Sequence, residues 1–159
     1  MPDIKVRVDM RKLNNVIKAL TATNNLVIRV GILSNKNARD DGKESNASIG
    51  VVHEFGSFKR KIPPRSFIRM PLQKRAGGLV RRAQEIIAEN LVAGNPMPIL
   101  KLIGVEAEGA IGDAFKSGGF GAWKAIKPAT AAAKGSTKIL IESSQLQRSI
   151  TSKVVKRGS

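Results

Sequence analysis

Hydrophobic positions along this chain fall into a small number of readable runs. Ile4, Val6 and Val8 alternate with Lys5, Arg7 and Asp9, a period of two that predicts a half-buried strand or, equally, an extended arm. Asp9 can cap a following helix in which Leu13, Val16, Ile17 and Leu20 recur at three- and four-residue spacing, ending near Asn24. Leu26 to Leu33, LVIRVGIL, is rich in β-branched residues and predicts a central strand. Residues 34–47 have almost no apolar content and many turn formers. They predict a mobile loop, either a plain surface excursion or one that orders against a neighbouring subunit.

The stretch from Ser48 to Pro71, SIGVVHEFGSFKRKIPPRSFIRMP, concentrates residues that dictate backbone. Ile49, Val51, Val52 and Phe55 form a short apolar segment ending at Gly56, which can take the positive φ of a turn. Lys59, Arg60 and Lys61 follow as a basic tip. Pro63 and Pro64 fix φ, remove two donors and bias Ile62 toward extended backbone, which excludes helix up to Pro64 and predicts a basic Pro-Pro arm at 57–66. Pro71 suits the first turn of the next helix.

Leu72, Ala76, Leu79, Val80, Ala83, Ile86, Ile87 and Leu91 trace one helical face, with Gly77-Gly78 predicting a kink or a close helix approach. Gly94-Asn95-Pro96 ends this helix. Ile99, Ile103, Ala107, Ala110, Ile111, Ala114 and Phe115 define a second apolar stripe running to Ser117-Gly118-Gly119. Residues 125–136 read as loop or weak helix, Ile139 to Ile141 as a short strand, Gln145 to Arg148 as one turn, and Ser149 to Val155 as a last strand. The sum is one α+β domain over residues 1–159, a small mixed or antiparallel sheet packed against two long helices, with extended loops or arms.

Charge changes the picture. With 28 Lys plus Arg against 12 Asp plus Glu, the chain carries +16, so a polyanion is expected nearby, although a solvated basic face would give the same composition. Nine bases and no acid lie between Phe55 and Gln84, and eight bases face only Glu142 from Trp123 onward. No uncharged apolar run approaches the ~18 residues of a membrane span, and the charged N-terminus does not read as a signal peptide.

Composition also narrows the chemistry. There is no Cys and no Tyr, and His53 is the single histidine. His53-Glu54 resembles the start of a zinc-protease helix, but Ser57 stands where the second His is needed. No Gly-x-Ser-x-Gly elbow occurs, and Ala133-Lys134-Gly135-Ser136-Thr137 has the wrong order for a phosphate loop. No catalytic, metal or cofactor site is therefore expected. Glu54 reads as a surface partner for a base such as Arg65, Phe55 and Phe67 as core, and Trp123 as buried in the core or an interface rather than stacking on bases. Arg65 and Arg69 can either brace the Pro-Pro arm or meet phosphate.

HEFG, a polar loop, then IPPRSFIRMPL resembles the tailed-bacteriophage head-to-tail joining family, which includes tail-completion, neck, minor tail and virion morphogenesis proteins. His53, Glu54, Phe55, Gly56, Ile62, Pro63, Pro64, Arg65, Phe67, Ile68 and Arg69 fall on its pattern. Trp123, Lys127-Pro128, Thr130, Lys134-Gly135, Leu140-Ile141 and the run Ser144 to Ile150 resemble its closing module, with Ser144 where Gly is common. The similarity spans roughly Leu26 to Val155.

The resemblance implies a non-enzymatic virion protein, assembled in the host cytoplasm into a hexameric or dodecameric ring at the head–tail junction. Its implied partners are further copies of itself, the portal connector or a head-completion protein, the tail tube or tail terminator protein, and genomic DNA held without sequence preference. The motif residues His53, Glu54, Phe55, Gly56, Ile62, Pro63, Pro64, Arg65, Phe67 and Trp123 become candidates for subunit contacts, and Lys59, Arg60, Lys61, Arg65 and Arg69 for DNA. No cofactor and no membrane enter this reading. The alternative from a different class is a free-standing basic, sequence-independent DNA-binding or packaging protein.

Overall fold

A computed structural model of the chain describes residues 9–33, 36–39, 44–134, 139 and 144–158. The expected strand or arm at Ile4 to Val8 and most of the expected strand at Ile139 to Ile141 lie outside the described residues.

Helix α1, Met10–Thr23, starts as the sequence predicts: the Asp9 carboxylate accepts the N–H of Arg11 at 3.0 Å and of Lys12 at 3.4 Å. Strand β1, Leu26–Ile32, pairs antiparallel with the last strand β2, Ile150–Lys156, in a register running from Leu26 opposite Lys156 to Ile32 opposite Ile150. Strands from near the two ends of the described chain are thus joined into one two-stranded sheet. Between them the chain forms α2, Asn46–Phe55, then α3, Arg69–Asn90, a 3-10 turn at Leu91–Ala93, and α4, Pro96–Ser117. Two short helices follow, α5, Pro128–Lys134, and α6, Gln145–Arg148.

The architecture is α+β, with α3 and α4 packed as an antiparallel pair and α4 lying on the sheet. A Cβ at Gly104 would run into the Ser152 side chain, so α4 approaches β2 as closely as glycine allows. The core sits where α4 meets the start of α3: Phe67, Ile111, Ala114, Phe115, Trp123 and Leu146 are all buried. Phe67 and Phe115 meet edge to face at 5.3 Å between ring centres, and Phe115 and Trp123 at 5.7 Å.

The structure corrects or adds to the sequence reading at four places. Residues 46–55 are helical, although the prolines suggest no helix before Pro64. The constraint of Pro63-Pro64 reaches back only to Ile62, while the Ser45 hydroxyl caps α2 by accepting the Ser48 N–H and Gly56 ends it at φ 79°. In the described parts of residues 34–47, the segment makes specific hydrogen bonds. Asn46, 3% exposed, donates to the carbonyls of Lys36 and Ala38 and accepts from Arg39, while Asn37 accepts the Ala47 N–H. Gly77-Gly78 marks no close helix approach, since nothing lies within 4 Å of a Cβ built on either. Finally, the apolar stripe of α1 is not its buried side. Ala19 is fully buried, whereas Met10, Leu13, Ile17 and Leu20 stay between 41% and 59% exposed.

Candidate functional site

The conspicuous site is a knot of chain built around Glu54. Gly56 has to be glycine here, because a Cβ on it would press on the Ile62 carbonyl and the Pro64 nitrogen. Ser57 and Ile62 then exchange two backbone hydrogen bonds of 2.9 Å, closing a tight hairpin whose tip is Phe58, Lys59, Arg60 and Lys61. Pro63 and Pro64 carry the chain back past α2, where the Arg65 N–H meets the His53 carbonyl at 2.7 Å.

That return path places the N-terminus of α3 on the Glu54 carboxylate. Oε2 accepts the N–H of Phe67 at 2.8 Å and of Ile68 at 3.0 Å; Oε1 accepts the Ser66 hydroxyl at 2.6 Å and the Arg69 N–H at 3.1 Å. Ser66 Oγ accepts the Met70 N–H at 2.9 Å. Every orphan donor from Phe67 to Met70 is satisfied, and a negative charge sits at the positive end of the helix dipole. Burial pushes the Glu54 carboxyl up, but the Ser66 hydroxyl and the three backbone N–H groups together outweigh it and hold the group below its ordinary value.

Arg65 locks the same knot to the chain following α4. Its guanidinium donates from Nε to the Lys124 carbonyl at 3.0 Å and from Nη2 to the Ala125 carbonyl at 3.5 Å, and burial lowers its pKa. Beside it the Trp123 indole N–H donates to the Ser66 carbonyl at 3.1 Å. The residues from His53 to Phe67 and Trp123, far apart in sequence, are brought together as one interlocked unit.

Several candidates have different roles from those expected. Arg65 is only 6% exposed and does not pair with Glu54, so it braces the fold and presents no charge for phosphate. Phe67 and Trp123 are core residues, as their residue-level reading expects, and so offer no surface to a neighbouring subunit. Phe55, expected in the core, is 63% exposed, with the Arg69 guanidinium 5.4 Å from its ring centre. Lys59, Arg60 and Lys61 are exposed at the hairpin tip, where Arg60 pairs with Glu44 at 3.0 Å. The acid-poor run is also less unbalanced than its sequence: Arg75 pairs with Asp113, and Arg82 with Glu85 and Glu106.

One feature has no local sequence signature that points to it, and another is only hinted at. The capping role of Glu54 carries no local signal, since the donors lie twelve or more residues ahead and are reached only through the hairpin. Ser144 has φ 58° and ψ 6°, a left-handed conformation that glycine adopts freely.

Among the described residues no helix is long and apolar enough to cross a membrane, and no group of three or more His, Cys, Asp or Glu could hold a metal ion. Comparison with known proteins adds no relative: no family model, no curated protein and no solved structure matches the chain.

Proposed function

We propose that this chain is a non-enzymatic structural protein of a tailed-phage virion, forming a ring at the head–tail junction that joins the tail to the head connector around the DNA channel. The observation that carries the reading is the Trp123–Ser66 hydrogen bond. Together with the Arg65 contacts it joins the two separate blocks of resemblance into one packed unit, which gives a structural reason for both to occur in one chain.

The outer surface suits assembly. Val51 and Phe55 lie one turn apart on α2, each more than half exposed, and Phe58 at the hairpin tip is fully exposed. Together with the uncovered stripe of α1 they are apolar surface that neighbouring copies would bury, and heterologous contacts form a ring where the rotation from copy to copy closes. Partners at the two ends of the ring are the portal connector or a head-completion protein on one side, and the tail tube or tail terminator protein on the other.

Lys59, Arg60 and Lys61 at the hairpin tip, and the exposed Arg69 at the start of α3, rim the channel and meet phosphate without reading sequence. Screened, exposed charges on a hairpin attract DNA without holding it fast. The test is negative-stain electron microscopy of the purified protein alongside Phe55→Asp. Closed rings for the parent and dispersed particles for the variant are expected; no rings from the parent at any protein or salt concentration would overturn the proposal.

A further inference from the structure

Behind the hairpin lies an open cleft of about 960 Å³, lined by the hairpin, the stretch after Trp123, and parts of α2, α5 and α6. Among the described residues that line it six are cationic, namely Arg39, Arg60, Lys61, Arg65, Lys124 and Lys127, and none is acidic. Arg60 and Arg65 are already engaged by Glu44 and by backbone carbonyls. Lys61, Lys124 and Lys127 make no ion pair with any described residue, so their charge is available to an occupant. Between the cations the surface is apolar, with Ile49, Ile62 and Ile126 partly exposed over the buried Leu146.

We infer that this cleft is a docking site for an extended, carboxylate-rich peptide segment of a partner protein, one that also carries apolar side chains. The cationic lining selects for carboxylates and steers their approach, and the isoleucines give apolar side chains somewhere to be buried. A second copy of this chain is a poor source, having 12 acids against 28 bases. Nucleic acid fits less well. A duplex is too broad to enter a concavity of this size, and single strands are held largely by stacking on aromatic faces, for which Phe58 is the one Phe or Trp among the lining residues.

The experiment measures binding of three fluorescent probes by anisotropy: a short peptide alternating glutamate with leucine, one alternating glutamate with serine, and a thymidine oligonucleotide of equal charge. The parent is compared with Lys124→Glu/Lys127→Glu in the cleft and with Lys116→Glu/Lys153→Glu, which changes the net charge equally elsewhere. Circular dichroism confirms that all three are folded. The glutamate–leucine peptide is expected to bind about tenfold tighter than the glutamate–serine peptide, and the cleft pair to weaken it about tenfold more than the control pair. Equal losses in both variants would reduce the binding to net charge and overturn the inference. So would an oligonucleotide whose affinity alone tracks Lys124 and Lys127, which would make the cleft a nucleic-acid site.

Discussion

Glu54 near the end of α2 accepts the backbone N–H of Phe67 at 2.8 Å, so one helix is capped by a carboxylate from the helix before it. The bond fixes the hairpin between them and seats Phe67 in the core. Local capping would hold α3 equally well; only this remote cap also fixes where α3 starts relative to α2.

Replacing Glu54 with Gln keeps the shape but removes the charge and turns one acceptor into a donor. A loss of about 1.5–3 kcal/mol is expected, the usual range for hydrogen bonds to a charged group, read as a lower urea midpoint with unchanged slope.

Acid acts on the same group. Because the folded Glu54 carboxyl is held below its ordinary value of about 4.3, its contribution is fully present above that pH and is lost as pH falls through the lower folded value. The stability difference between the parent and Glu54→Gln should therefore be constant at neutral pH and shrink below about pH 4. A difference that instead widened on acidification would contradict the geometry.

Arg65→Lys exchanges a fork reaching two carbonyls for a single ammonium. It should destabilise by about 1–3 kcal/mol, since the charged fork loses at least one of its two part-buried hydrogen bonds to the Lys124 and Ala125 carbonyls. Arg69→Lys, on an exposed side chain, should leave the urea midpoint nearly unchanged.

Ser144→Gly should raise stability by about 1 kcal/mol, because a left-handed backbone costs a residue with a Cβ roughly that much. Gly77→Ala and Gly78→Ala should each add up to ~1 kcal/mol, since a Cβ at either position points into open space within α3. Thermal melting of the three single variants checks both.

Substituting Gln at Lys59, Arg60 and Lys61 together should leave the circular dichroism spectrum intact while weakening duplex DNA binding. The dependence of log affinity on log salt should flatten by roughly 0.9 for each phosphate that the tip no longer neutralises. An unchanged slope would remove the hairpin tip from any DNA-facing role.

Much of the fold is legible in the sequence because it rests on local signals. Asp9 caps α1, the β-branched run forms β1, and the two apolar stripes before and after Gly94-Asn95-Pro96 form the helical hairpin. Legibility ends where a local rule reaches less far than it suggests, or where the decisive partner is distant. Pro63-Pro64 has no power over a helix that has already ended at Gly56. Arg65 and Glu54, close in sequence and opposite in charge, suggest each other; the structure gives Glu54 four donors from Ser66 to Arg69 and gives Arg65 the carbonyls of Lys124 and Ala125. Phe55 and Phe67 look alike as apolar residues flanking a loop, yet one is 63% exposed and the other fully buried. Periodicity locates the apolar face of α1 but not whether the domain covers it.

The head–tail ring is tested most directly by the solution mass of the purified protein across salt concentration, with and without mixed-sequence duplex DNA. A closed hexamer or dodecamer that forms without DNA is the predicted result. A stable monomer that coats duplex tightly at physiological salt would contradict it and identify the chain as a free-standing basic DNA-binding module.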